Sequence, residues 1–203
     1  MGSEVSLKAT ILLVGVGKLG LRYLEGILQT QNKIDLYIYD ISRESVILAK
    51  TLINEQKINK KNIKVNFISK IIDLPYEIDL LIITTTADVR AELVSTFSSK
   101  FRIKSWILEK LLTQSLEDLN KLENIFKNNQ NAWVNMPRRV MSWHKEIKCH
   151  IPKNKLINAK IAGSNWGLAC NSIHFIDLFS WWTNEDLYSI DSSNLENKWV
   201  ESK

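Results

Sequence analysis

Thr10-Ile-Leu-Leu-Val-Gly-Val-Gly-Lys-Leu-Gly20 is the stretch on which the reading of this 203-residue chain turns. The apolar run Ile11 to Val14 ends in Gly15-x-Gly17-x-x-Gly20 and passes straight into an amphipathic segment, Leu19 to Leu28. That is the strand–turn–helix context a dinucleotide-binding fingerprint requires. Gly15 permits the tight turn, Gly17 lets the backbone approach a pyrophosphate, and Gly20 lets helix and strand pack closely. The intervening Val16, Lys18 and Leu19 share in the same contact. The helix start presents N–H groups and a positive dipole end to the phosphates. An acid is expected about twenty residues further on, and Leu36-Tyr-Ile-Tyr-Asp40 supplies it as a second strand ending in a carboxylate. The competing reading of this stretch is a methyltransferase-like nucleoside site, which also uses a Gly-rich first loop and an acid after the second strand.

Around that motif the composition is that of an ordinary globular protein, 45% hydrophobic and 24% charged. The net charge of +5 comes mostly from dispersed lysines. Lys57, Lys60, Lys61 and Lys64 read as a solvated helix end and loop, with no interleaved aromatics to suggest a nucleic-acid partner. No apolar stretch approaches the length of a membrane span. The start, Met-Gly-Ser-Glu-Val-Ser, lacks the charged-then-apolar form of a secretory signal. Cys149 and Cys170 have neither metal-ligand spacing nor the count of a disulfide framework, so no metal is expected and a reducing cytoplasm is the default.

Beyond Asp40, Ser42 is placed to cap a helix running through Val46 and Leu48 to Ile53. Ile63 to Ile68 alternates as a half-buried strand. Asp79 to Thr84 reads as a strand buried on both faces, of the kind a parallel sheet needs. Thr84-Thr85-Thr86 follows at its carboxyl end, where open α/β sheets bind ligands. Asp88 is expected to cap a short helix to Ser98, and Ile103 to Leu108 to form a fifth strand delivering Glu109-Lys110 to the same edge. Ser115-Leu-Glu-Asp118 has the form of a capping box, with Leu119, Leu122, Ile125 and Phe126 behind it. Asn128 to Asn131 ends that helix, and Ala132 to Asn135 is a sixth strand. The alternation predicts an α/β fold, a doubly wound, Rossmann-type parallel sheet over residues 1–136.

The composition shifts near Pro137, and five of the seven tryptophans lie beyond residue 140. Residues 137–203 read as the first part of a second α/β domain. A helix is expected over Arg138 to Cys149, a strand over Leu156 to Ala162, a helix over Leu168 to Trp182, and an extended piece from Leu187.

Three groups can carry chemistry. Cys170, His174, Asp177 or Leu178, and Trp181 share one helix face. An imidazole one turn from a thiol, with a carboxylate to orient it, is a workable proton-transfer unit; a packing face with a satisfied histidine is the alternative. Lys110, at a strand end near the Gly-rich turn, can orient a hydroxyl and stabilise a forming alkoxide, or be a surface lysine. Arg138 and Arg139 suit bidentate capture of an anionic substrate, or cap the preceding segment.

Together, Gly15-x-Gly17-x-x-Gly20, the Thr84–Thr86 loop, Glu109-Lys110, Val134-Asn-Met-Pro-Arg-Arg139 and Ser172-Ile-His174-Phe-Ile-Asp177 resemble the glucose–fructose oxidoreductase / inositol dehydrogenase (Gfo/Idh/MocA) family, in the same order and from residue 10 to about 182. Glu-Lys followed much later by His-x-x-Asp is the more specific part of the likeness. The resemblance implies an N-terminal Rossmann domain and a C-terminal α/β domain whose sheet usually makes the interface of a homo-oligomer. It implies NAD- or NADP-linked oxidation or reduction of a sugar, cyclitol or nucleotide-sugar hydroxyl, with Glu109 and Thr84 to Thr86 beside the cofactor and Arg138 and Asp177 beside the substrate. Lys110 falls on the family's lysine, which holds the reacting oxygen, and His174 on its catalytic histidine. Asp40 favours NAD, since it bonds a ribose 2′-hydroxyl and repels a 2′-phosphate, while Arg43 leaves NADP open. Leu111 stands where the family has proline, and Cys170 where it commonly has aspartate. The chain is also short for the family, which implies truncation, exposed Trp-rich faces and a tendency to associate. A dinucleotide-binding protein without turnover, serving as sensor, partner or remnant, is the second functional reading.

Overall fold

The run at Ile11 to Val14 is the heart of β1 (Ala9–Val14), whose side chains alternate between two cores. Ile11 and Leu13 point into one, with Leu24, Leu36, Ile38 and Ala49. Leu12 and Val14 point into the other, with Leu81, Ile83, Val94, Phe97 and Trp106. A strand buried on both faces has no polar side, which is why this run does not alternate in hydropathy. Residues 8–56, 62–127, 131–152, 155–163 and 167–195 are described in this computed structural model. By internal contacts the chain divides into two units, Met1–Asn135 and Met136–Lys203.

In the first unit the remaining sheet strands are β2 (Ile34–Tyr39), β3 (Ile63–Ile68), β5 (Leu80–Ile83), β7 (Ser105–Leu108) and β8 (Asn131–Val134). All pair in parallel, in the order β3-β2-β1-β5-β7-β8. The order reverses between β1 and β5, so the two halves wind outward from that point. Helices α1 (Lys18–Leu28) and α2 (Arg43–Glu55) contribute Leu24, Leu28 and Ala49 to one core. Helices α3 (Ala87–Lys100) and α4 (Leu116–Phe126) contribute Ala91, Val94, Phe97 and Leu122 to the other. The doubly wound parallel sheet expected from the sequence is the fold observed.

The local signals act as their chemistry requires at two helix starts. Ser42 Oγ accepts from Ser45 N at 3.2 Å, and Ser115 Oγ accepts from Asp118 N at 3.1 Å. Two details differ. Thr86, not Asp88, occupies the N-cap position of α3 and makes no side-chain cap bond, while Asp88 sits in the first turn where a carboxylate complements the dipole. The single strand expected over Ile103 to Leu108 is split: β6 (Arg102–Ile103) pairs with β4 (Glu77–Ile78), and β7 with β5. Lys104 marks the change of partner, its N–H bonded to Ile78 O at 3.0 Å and its ammonium to Asp79 Oδ1 at 2.6 Å. Asp79 also accepts from Thr10 N at 2.7 Å. Those two bonds, Lys104's foremost, hold its carboxyl below the usual aspartate range. The helix stop expected at Asn128 to Asn131 lies mostly outside the described residues.

The second unit contains a 3-10 turn, Pro137–Val140, then α5 (Ser142–His150) and α6 (Leu168–Thr183). The one helix expected over Arg138 to Cys149 is thus two pieces, separated by extended backbone at Met141 (φ −67°, ψ 133°). The strand expected over Leu156 to Ala162 is not formed; these residues have no regular structure, and a strand needs a partner that the described residues of this unit do not provide. From Leu187 to Leu195, the last described residue, the chain has no helix or strand. Leu178, at 1% exposure, is the buried hydrophobic side chain among this unit's described residues, while Trp143 is 55% exposed and Tyr188 fully so.

Candidate functional site

All six strands of the sheet run the same way, so the loops after β1, β2, β5 and β7 meet at one edge. Gly15 to Gly20, Asp40, Thr84 to Thr86, Glu109 and Lys110 are those loops and helix starts. The crevice where ligands bind in such sheets lies at the reversal, between the ends of β1 and β5.

Each fingerprint glycine has a distinct geometric reason. Gly15 adopts φ +87°, a left-handed conformation that side chains disfavour. A Cβ on Gly20 would stand 2.1 Å from Gly15 O and 2.8 Å from Thr84 Oγ1, so only glycine lets α1 approach β1 this closely. A Cβ on Gly17 would meet no protein atom within 4 Å. Its backbone is ordinary (φ −65°, ψ −168°), so neither packing nor dihedral strain calls for glycine there. That exposed main chain, at the N-cap of α1, is a cradle that a side chain would fill, and it fits a diphosphate.

The turn is fastened from two sides. Asp40 Oδ2 accepts from Val16 N at 2.6 Å and Oδ1 from Ser42 N at 2.7 Å. Asp40 therefore ties the Gly-rich turn to the end of β2, and an ionised carboxylate with about four acceptor positions retains capacity for a ribose hydroxyl. Thr84 Oγ1 donates to Gly15 O at 2.6 Å, while Thr84 N donates to Val14 O at 2.9 Å. Thr85 and Thr86 continue beyond it, with Thr85 Oγ1 to Thr86 O at 3.3 Å. Arg43 is exposed at the first turn of α2, and Lys18 and Leu19 are exposed on α1.

Glu109 is 3% exposed. Its Oε1 accepts from Tyr23 Oη of α1 and from Asn135 Nδ2 at 2.7 Å, so its carboxylate is turned inward. Burial first, then the bond to Glu109, pushes the Tyr23 phenol far above its usual range, so it stays a donor. Arg90, on α3 and 1% exposed, donates to the carbonyls of Thr85, Leu111 and Leu112. Burial lowers its pKa, opposed first by the Glu109 carboxylate. Lys110 is half-buried between Glu109 and the cis Lys110–Leu111 peptide. Sequence reasoning missed Tyr23 and Arg90, and it quoted Asn135 within Val134 to Arg139 without giving it a role. Tyr23 reads as one more amphipathic-helix residue and Arg90 as a solvated helix charge, and no spacing signals their partners.

In the second unit, Cys170, His174 and Asp177 all lie on α6, with Cys170 exposed and His174 half-buried. Asp177 is held by Arg139, whose Nε donates to Oδ2 at 2.8 Å and whose second nitrogen reaches Oδ1. Arg138 stacks 4.2 Å over the Phe175 ring instead of pairing with it. His144, not singled out from sequence, is 2% exposed between the rings of Trp143 (3.4 Å) and Trp182 (5.3 Å). Neither of its ring nitrogens has a hydrogen-bond partner among the described residues. Burial, then the nearby Arg138 charge, depresses its pKa. The described residues hold no group of three or more His, Cys, Asp or Glu suited to a metal, and no helix long and apolar enough to cross a membrane.

No protein-family model and no curated protein matches the sequence. Solved structures do match by fold. Myo-inositol dehydrogenase from Lactobacillus casei, in complex with NAD(H) and myo-inositol, is 17% identical with a TM-score of 0.66; the match covers 94% of this chain and 60% of that one. Myo-inositol 2-dehydrogenase from Lactobacillus plantarum is 17% identical with a TM-score of 0.61, covering 88% and 56%. A dehydrogenase from Clostridium difficile is 18% identical with a TM-score of 0.62, covering 88% and 58%. The chain thus spans somewhat more than half the length of the structures it matches. It has the fold of the inositol dehydrogenases and related NAD-binding oxidoreductases, with a Rossmann-type six-stranded parallel sheet in its first unit.

Proposed function

We propose that the chain binds NAD across the carboxyl edge of its sheet and acts as an oxidoreductase on a hydroxyl or keto group of a sugar, cyclitol or nucleotide sugar. The observation that carries this reading is Gly17: bare main chain at a helix start, beside the strand-order reversal, with nothing within 4 Å of where a side chain would be. The likeness to a dehydrogenase holding NAD(H) and myo-inositol supports the cofactor and the substrate class. NAD, when bound, would supply the two-electron acceptor or donor. The turn from Gly15 to Gly20 holds its diphosphate, Asp40 accepts from the ribose while keeping the turn in place, and Thr84 to Thr86 line the adjacent loop. Glu109 shapes the cofactor edge from within through Tyr23 and Asn135.

Lys110 donates to the reacting oxygen and stabilises the alkoxide as it forms. His174 takes or returns the hydroxyl proton, with Cys170 one turn before it on α6. Asp177 serves the substrate by fixing the Arg139 fork, and Arg138 supplies a second cation. The proposed partner is a small sugar-like molecule and a second copy of the chain, not nucleic acid, and the proposed compartment is the cytoplasm.

Calorimetric titration tests the first step: NADH binds the parent chain, and Gly17→Val, which puts a branched side chain into the cradle, abolishes binding. Unchanged affinity in that variant refutes the site. Turnover with NAD and myo-inositol tests the second: Lys110→Ala and His174→Ala each lower the rate at least about a hundredfold. Rates equal to the parent's would make both residues structural.

A further inference from the structure

Arg90 is a full charge placed where a methionine or leucine would fill the same space without desolvation. Replacing buried ion pairs by apolar groups is often neutral or stabilising, so core packing does not account for a guanidinium at 1% exposure. Its donors instead reach two loops. One nitrogen bonds the carbonyls of Leu111 and Leu112, the latter at 3.0 Å, in the loop after β7. Another bonds the carbonyl of Thr85, in the loop after β5. β5 and β7 are neighbours in the sheet, and both loops leave its carboxyl edge. The charge is balanced by Glu109, itself 3% exposed and held by Tyr23 and Asn135. Lys110 therefore stands between a residue locked into the interior, Glu109, and a residue whose carbonyl Arg90 holds, Leu111.

We propose that Arg90 is a positioning residue: its planar fork clasps the Thr85 loop to the Leu111–Leu112 segment and so sets where the Lys110 ammonium stands. What that ammonium does once placed rests on the function proposed above; the clasp itself does not. A site of this kind needs its groups held to within about 0.5 Å, and a loop lysine attached at one side only would not be. Lysine cannot replace Arg90, because a single ammonium on a flexible stem lacks the rigid fork that spans carbonyls of two loops.

The test is competitive labelling of the full chain with acetic anhydride, reading each lysine by mass spectrometry. Two variants are compared with the parent, Arg90→Lys and the double variant Arg90→Met/Glu109→Gln, which removes both buried charges together so that neither is left uncompensated. In both, Lys110 shifts towards the rate of exposed Lys18 by about threefold or more, while Lys18 and Lys100 keep their rates. An unchanged Lys110 rate in the double variant overturns the proposal. So does a change shared by Lys18 and Lys100, which would make Arg90 an element of stability alone. NADH titration of the parent is read separately: its failure would remove the oxidoreductase reading and leave the labelling result to decide the clasp.

Discussion

Gly20→Ala should damage the first unit far more than the one added methyl suggests, whereas Gly17→Ala, three residues earlier, should leave it folded. At Gly20 the new Cβ would lie 2.1 Å from Gly15 O, 2.9 Å from Gly15 C and 2.8 Å from Thr84 Oγ1. Two of these atoms are backbone, and real Cβ contacts below 3.0 Å essentially do not occur. α1 must therefore move off β1 by about an ångström, at an overpacking cost of about 1–3 kcal/mol. The Thr84 Oγ1 bond to Gly15 O, 2.6 Å in the parent, is strained or lost with it, adding about 1 kcal/mol. Better helix propensity offsets about 1 kcal/mol. The net is a loss of about 2 kcal/mol, which for a unit of this size lowers the melting temperature by about 6–10 °C. Gly17 offers the contrast: its Cβ meets nothing, and the only charge against alanine there is a weaker N-cap, up to about 1 kcal/mol. Melting followed by far-ultraviolet circular dichroism, paired with NADH titration, separates the two. Gly20→Ala melts early; Gly17→Ala melts close to the parent and binds NADH more weakly. If Gly20→Ala melts within about 1 °C of the parent, or if the two variants are destabilised equally, close packing is not what requires glycine at position 20.

His144 gives an acid-sensitive second unit. Its folded pKa lies below the ordinary 6.5, so as pH falls past that value the unfolded chain takes up a proton that the folded chain refuses, and stability drops with falling pH. Tryptophan fluorescence melts across that range should show the loss, and His144→Phe should flatten the dependence; an equal slope in that variant would place the sensitivity elsewhere. Asp40→Ala leaves the Val16 and Ser42 N–H groups without their carboxylate, a cost of about 1–3 kcal/mol. NADH affinity should fall with it, whereas Asp40→Asn, which still offers one carbonyl oxygen, should lose less stability. Hydrogen exchange at Val16 that is unchanged in Asp40→Ala would refute the fastening.

The sheet and its helices were legible because their signals are local. Ile11 to Val14 is too apolar to be half-exposed, Ile63 to Ile68 alternates, and Ser42 and Ser115 cap through atoms three residues away. What failed depended on partners. Ile103 to Leu108 has the composition of one strand, yet Lys104 hands the chain from β4 to β5, as set by Ile78 and Asp79 some twenty-five residues earlier. Leu156 to Ala162 has strand-forming residues and, among the described residues of its unit, no strand to pair with.

The same division runs through the candidate site. Spacing alone determined the Gly15–Gly20 turn, the acid at Asp40 and the loops that reach the carboxyl edge, because turn dihedrals, helix starts and strand ends are properties of short stretches of chain. Only the tertiary structure decided that Asp40 also ties down Val16, that Glu109 faces inward to Tyr23 and Asn135, that Asp177 is taken by Arg139, and that Arg90 holds three carbonyls. Those partners lie between 5 and 86 residues apart in the chain. A charged side chain in a sequence carries no mark of whether water or a distant carbonyl will satisfy it; that is settled when the sheet closes and the group loses its water.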